Sequence, residues 1–386
     1  MLGTRRTQRV RASGFTLLEI MVALAAGGIA LTSLYAIGAA SSRHFREQQR
    51  ISAAQTSLRA AVDVLKHDFQ RAGFLGTPLA TAAGEACAST VGLVESPNQL
   101  AAVAGYIRND TKPANVDPKA ENDATFFSVD RVWLTGNYAT SGEYAEITVD
   151  GELVTFPTNW QSFRRDFSRW NDTAASSCDN EAFQAAFAPN RLVRLHSLNG
   201  GFFYAAIATA SCVDDSRAQV RLKTAVPASC GMTNGWIAPV NTISYAVEAA
   251  TAAERGNDPH MTILRRTEVR PDARSTALTL PASEVSVDTR AIAENVVRFR
   301  LDFLARNTAS VVTNFLPISA ANVIANPERL RGVIIDIAVR TAQQESNFLS
   351  KVLGAAYIVD SEAPGAARVR RAHAELLLPN IASRRL

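Results

Sequence analysis

One carboxylate in this chain stands where a carboxylate is costly. Glu19 is the single charged side chain in the otherwise apolar run of residues 15–40. A charged residue at mid-bilayer costs about 2.5–3.5 kcal/mol and less near an end, so Glu19 calls for a cationic partner. Proteolysis between Gly14 and Phe15 would make one, an α-amino group one helical turn before Glu19. In a helical array of subunits, one Glu19 could then neutralise the amine of the next. That pairing removes two buried charges together and so selects assembled over free subunits.

Other reactive constellations do not form. His44, His67, His196, His260 and His373 show neither an H-E-x-x-H spacing nor a pairing with a nucleophile motif, and no G-x-S-x-G or phosphate loop occurs. Asp110, Asp117, Asp123 and Asp130 lack the tight alternation and following glycine of a calcium loop. Asp214 and Asp215 beside Cys212 read as a solvated turn. An enzyme, a metal and a cofactor are therefore not expected.

Glu19 has to be positioned by a helix. Residues 15–40 meet the length of about 20 apolar residues that a bilayer span requires. Arg5, Arg6, Arg9 and Arg11 precede it with no acid among the first 18 residues, which keeps this end in the cytoplasm and sends the rest across the membrane. Two plainer readings compete. An ordinary secretory signal could be cut at Ala23-Leu24-Ala25, but its apolar run would end there instead of continuing to Ala40. A simple anchor would need no cleavage and would leave Glu19 without a purpose.

The basic leader ending in Gly14, then Phe15-Thr16-Leu17-Leu18-Glu19 and the long apolar segment, resembles the class III signal of type IV pilins and pseudopilins. The resemblance implies that a prepilin peptidase cuts after Gly14 and methylates Phe15, and that Glu19 is the docking glutamate of assembly. Further on, Arg71-Ala72-Gly73-Phe74-Leu75-Gly76 is similar to the helix exit of minor pilins of the PilW kind and of the related secretion pseudopilin J. Looser likeness to the carboxyl half of such minor pilins runs through Ile243-Ser244-Tyr245, Ile263-Leu264-Arg265-Arg266 and Asn295-Val296-Val297-Arg298-Phe299. The membrane segment departs from many major pilins in having no proline, so melting during assembly would rely on Gly27-Gly28.

After the membrane the helix is expected to continue to Ala72. Ile51, Ala54, Leu58, Val62, Leu65 and Phe69 recur at steps of three and four, with Arg50, Arg59, Asp63 and Lys66 mainly off that stripe. Gly73 and Gly76 can end it through a left-handed cap, and Pro78 prevents resumption. The rod from Phe15 to Ala72 would measure roughly 87 Å at 1.5 Å per residue.

The remainder reads as a head. Residues 76–125 suggest loops with short strands, and residues 126–134 and 144–156 alternate as strands, the latter around an Asp150-Gly151 turn. From Arg191 onward, strands are expected at 192–198, 202–210, 218–222, 242–249, 261–268, 295–304, 330–341 and 368–378, with Asn199-Gly200 as a hairpin turn. Their alternation implies an antiparallel sheet with one face buried, and the long helix is its natural cover. Between them, Trp160, Phe163, Arg164, Arg165, Phe167, Arg169 and Trp170 interleave aromatics with arginines. The steps of three, four and three favour a packed aromatic face, while Trp160, Arg164, Arg165, Arg169 and Trp170 form the first candidate for a partner surface.

The chain of 386 residues is 47% hydrophobic and 20% charged, ordinary globular material rather than disorder. Its formal charge of +4 is matched by the four leader arginines, so the mature protein would be nearly neutral and nucleic acid is not indicated as a partner. Cys87, Cys178, Cys212 and Cys230 lack metal spacings and suit disulfides in an oxidising compartment. Cys212 with Cys230 and Cys87 with Cys178 is one of three connectivities.

The expected fold is α+β, pilin-like with large insertions: leader 1–14, membrane helix 15–40, amphipathic continuation 41–73 and a β-rich head 74–386. The resemblance implies a minor type IV pilin of a tip or priming complex that promotes assembly. Its partners would be other minor and major pilins, the prepilin peptidase, the inner-membrane assembly platform and the lipid bilayer. It would sit in the inner membrane with its head in the periplasm, then at the pilus tip or cell surface. A type II secretion minor pseudopilin and a tip adhesin for a surface, glycan or DNA are the alternatives.

Overall fold

The computed structural model describes residues 16–76, 101–110, 128–167, 181–214, 216–256, 258–270, 285–306, 315–326, 329–345, 348, 356–360, 362 and 364–382. It opens with one helix, α1 (Leu17–Arg71). The strands and short helices follow in the order β1 (Val103–Ile107), β2 (Ser128–Val129), β3 (Arg131–Gly136), β4 (Tyr144–Ala145), β5 (Thr148–Asp150), β6 (Leu153–Pro157), α2 (Gln161–Phe167), α3 (Glu181–Ala186), β7 (Leu192–His196), β8 (Phe202–Asp214) and β9 (Arg217–Leu222). The chain then runs through β10 (Trp236–Ala249), β11 (Thr262–Arg270), β12 (Val285–Glu294), β13 (Val296–Arg306), β14 (Phe315–Pro317), α4 (Ala320–Ala325), β15 (Leu330–Arg340), β16 (Ala356–Tyr357), β17 (Ala367–Leu377) and α5 (Pro379–Ala382).

Two compact units divide the chain, residues 1–53 and 54–386. In the first, α1 is long and apolar enough to cross a membrane, and none of that apolar stretch is buried. Leu17, Leu24, Tyr35 and Phe45 all expose most of their surface. The helix runs unbroken through Gly27-Gly28, where a Cβ would meet nothing within 4 Å.

In the second unit Leu58, Val62, Leu65 and Phe69 of the expected stripe enter one core, joined by Ala61, while Ala54 is only partly buried against it and Ile51, in the first unit, is half-buried. Each such side chain withdrawn from water contributes about 1.5–3 kcal/mol. They meet Leu134, Ile243, Tyr245 and Leu264 from one sheet, and Phe299, Leu301, Phe303, Ile335 and Ile337 from another. Of the two glycines expected to end the helix in a left-handed cap, Gly73 does so and Gly76 does not, Leu75 taking φ +51 instead. Gly73 takes φ +75, its N–H donates to the Thr135 carbonyl at 2.9 Å, and Phe74 N–H donates to Arg71 at 2.8 Å.

The head contains two sheets where the alternation suggested one. The larger runs β1-β3-β10-β7-β8-β9-β6-β5, with β4 and the β11–β12 hairpin attached through β10; the smaller runs β14-β13-β15-β17-β16, with β2 beside β13 in the one parallel pairing of these sheets. β10 is the hinge of the larger sheet, because Trp236–Val240 pair with β7 while Asn241–Tyr245 pair with β3. Asn295, at φ +57, turns the chain from β12 in one sheet to β13 in the other. β12 escapes sequence reading because its pairing with β11 shifts register twice, which breaks the strict alternation a strand normally shows.

The far part of the larger sheet has its own cover. Tyr144, Phe156, Phe163, Phe167, Phe183 and Phe187 pack with Val193, Leu195 and Ile237 into a second core, beneath α2 and α3 rather than the long helix. Ring centroids there lie 4.8 Å apart for Phe163 and Phe167, and 5.7 Å for Tyr144 and Phe156.

Candidate functional site

Gly14 and Phe15, the expected cleavage and methylation positions, lie outside the described residues. Glu19 is described, and it closes a capping box at the first turn of α1. Its Oε2 accepts the Thr16 backbone N–H at 3.0 Å and the Thr16 hydroxyl at 3.2 Å, while Thr16 Oγ1 accepts the Glu19 N–H at 3.2 Å. Two orphan donors of the helix start are thereby satisfied within the subunit. Both carboxylate contacts use Oε2, so Oε1 stays open to a further donor. A carboxylate held in this way is not left bare in an apolar run.

A second polar centre, absent from the sequence reading, lies where the helix meets the head. Asp68 is 4% exposed. Its Oδ2 accepts the Tyr245 hydroxyl at 2.5 Å and Arg266 Nε at 2.6 Å. Burial, and then the Asp68 charge, push the Tyr245 phenol well above its ordinary pKa, so it remains a donor. Burial works against the Arg266 charge, yet Asp68 outweighs it and the guanidinium is held more firmly protonated than usual. Tyr138 lies against the same group, with Arg266 5.8 Å from its ring centroid. One signal was available: Asp68 adjoins Phe69 on the stripe of Ala61 and Leu65, where a carboxylate is not free to face water.

The helix exit continues this anchorage. Arg71 donates through Nη2 to the Thr140 carbonyl and lies 5.3 Å from the Phe74 ring. Asn380 Nδ2 donates to the Gln70 carbonyl at 2.5 Å, which satisfies one of the last helix carbonyls from the far end of the chain. Together these contacts fix the rotation and height of the amphipathic helix half on the head.

The aromatic and basic candidate surface divides. Phe163 and Phe167 are buried, as the packing reading expects, but Trp160 keeps 42% of its surface in solvent. Arg164 is exposed one turn beyond it, and Arg165 bonds Ser141 Oγ at 2.9 Å. Arg169 and Trp170 lie outside the described residues. Cys212 in β8 and Cys230 in a short 3-10 helix (Ala228–Cys230) are each disulfide-bonded; Cys87 and Cys178 lie outside the described residues.

Among the described residues no cluster of histidine, cysteine and carboxylates is arranged to hold a metal. Of the four aspartates weighed for calcium, Asp117 and Asp123 lie outside the described residues. Asp130 is surrounded by donors instead: the hydroxyls of Tyr106 and Ser128 and the N–H groups of Asn109 and Leu301. A carboxylate so occupied is a structural acceptor.

The family described as the prokaryotic N-terminal methylation motif matches residues 9–35. Among solved structures, a type IV-like pilin from Thermus thermophilus aligns over 52% of this chain and 92% of its own at 13% identity, with a TM-score of 0.18. No match was found among curated proteins.

Proposed function

Taking this as a type IV pilin-like chain with an N-terminal methylation motif, we propose that it is a minor pilin of the PilW kind, working in a tip or priming complex that starts polymerisation. The single observation that carries this is the motif of residues 9–35, which runs into the start of a 55-residue helix whose first half is apolar and exposed. Cleavage after Gly14 presents the Phe15 amine, and Oε1 of a neighbouring Glu19 accepts it. The capping bonds to Oε2 need not break for that to happen.

Head size supports a place at the tip. Residues 144–237 contribute a core additional to the one that seats the helix, and bulk of that kind obstructs a repetitive shaft but not an end. The firm fixing of Asp68, Arg71 and Gln70 suits a subunit whose rod must pull its head without slipping. Exposed Trp160 and Arg164 favour, as a second reading, a head that also touches a surface ligand. A minor pseudopilin of a secretion machine would use the same processing and docking.

The test is the intact mass of the chain expressed with and without a prepilin peptidase, followed by the fate of Glu19→Ala. Loss of residues 1–14 with one added methyl on Phe15, and a Glu19→Ala chain that is processed yet unassembled, are the expected results. An uncut terminus, or a cut near Ala25, would overturn the proposal. Loss of pili rather than of secretion in a deletion strain separates the two machines.

A further inference from the structure

Four arginines are buried among the described residues: Arg191, Arg194, Arg298 and Arg340. Three of them hold a carboxylate. Arg191 grips Glu268 through Nη2 at 2.6 Å to each oxygen, Arg298 meets Asp336 at 2.6 Å, and Arg340 meets Asp258 at 2.7 Å. Arg194 is the exception. It is 5% exposed, in the middle of β7, and no hydrogen bond or ion pair reaches its guanidinium. Its Nε is buried and unpartnered, whereas its Nη nitrogens, which make no hydrogen bond among the described residues, reach the surface.

The strand register places aromatic and small side chains around it. Arg194 stands opposite Tyr204 of β8 on one side and Ala238 of β10 on the other; the next row is Phe202, His196 and Trp236. The guanidinium carbon lies 5.6 Å from the Phe202 ring centroid, and His196 stacks on Trp236 at 5.4 Å. A ring face tempers a cation without neutralising it. A largely buried charge without a counter-charge is costly, and a planar fork of N–H donors held at the edge of the surface matches the two oxygens of a carboxylate or phosphate. Beside it, Ala238 contributes only a methyl group and leaves the outer end of the fork unobstructed by its own bulk.

We propose that Arg194 anchors an oxyanion site on the head, walled by Phe202, Tyr204, His196 and Trp236, which takes one carboxylate or phosphate group. The site is independent of Glu19 and of the contacts that seat the helix. It gives the head a charged-group specificity that the exposed Trp160 surface does not have.

The experiment is thermal unfolding of the full chain in a neutral detergent, in acetate, N-acetylglutamate amide or phosphate, each against chloride at equal ionic strength. The wild type should show a saturable rise of about 3 °C or more with its preferred anion. Arg194→Met should lose that rise while melting in chloride at least as high as the wild type, because it removes an uncompensated charge; Arg194→Lys should keep only part of it. A rise with acetate and the glutamate amide assigns a carboxylate, free or borne on another chain; a rise with phosphate alone assigns a phosphate ester. Equal rises in wild type and Arg194→Met would mark a general salt effect and overturn the proposal. So would the absence of any anion-dependent rise in the wild type, whatever the variants do.

Discussion

Replacing Arg266 by methionine should unseat the long helix more than any other single change at its interface. The substitution keeps the length of the stem but leaves Asp68, whose side chain is 6% exposed, with the Tyr245 hydroxyl as its remaining side-chain donor. Breaking one side of a buried pair costs about 3–5 kcal/mol, since the surviving charge stays out of water. Asp68→Asn is milder. It keeps the shape and an acceptor for Tyr245, and Arg266, at 16% exposure, turns to solvent, so about 1–2 kcal/mol is expected. Tyr245→Phe removes one hydrogen bond and should cost about 1 kcal/mol. The double variant Asp68→Asn with Arg266→Met should be less damaging than the sum, by roughly 2 kcal/mol, because the charge that Arg266 neutralises is gone. Thermal unfolding of the mature chain in detergent, read by circular dichroism, gives the order; the Arg266→Met midpoint should fall by roughly 4–7 °C. Additive effects of Asp68→Asn and Arg266→Met, or an Arg266→Met chain as stable as wild type, would show that the helix is held by its apolar stripe alone.

Three further outcomes are expected. Gly136→Ala should destabilise by about 1–3 kcal/mol, since a Cβ there would lie 2.6 Å from the Arg71 carbonyl oxygen at the helix exit, and urea unfolding should show the loss. Asp336 is pushed up by burial but pulled further down by its bonds from Arg371 and Arg298, which leaves its carboxyl below the ordinary range. A depressed carboxyl contributes stability that is fully present above the unfolded value of about 3.9 and is lost as pH falls through the folded value, so Asp336→Asn should flatten the acid limb of a stability–pH profile. Thr16→Val removes the hydroxyl that both donates to Glu19 and accepts from it, and hydrogen exchange at the first turn of α1 should quicken while cleavage after Gly14 proceeds.

What the sequence determined by itself was local. The apolar run, its lone Glu19, the stripe to Phe69, the Gly73 cap and the Asn199-Gly200 hairpin are each written in residues a few positions apart, where backbone geometry alone relates them. Tertiary structure decided everything that joins distant segments. Asp68 reaches partners 177 and 198 residues away, and no periodicity announces which tyrosine and which arginine will face it. Two sheets stand in place of one because Asn295 turns the chain between them, and β12 hides behind its two register shifts. Arg194 reads in sequence like Arg191, three residues earlier, and only the fold brings Glu268 to one and no carboxylate to the other. The physical reason is the same throughout: a charge or an aromatic ring states what kind of neighbour it needs, while the pairing of strands far apart in the chain settles whether it gets one.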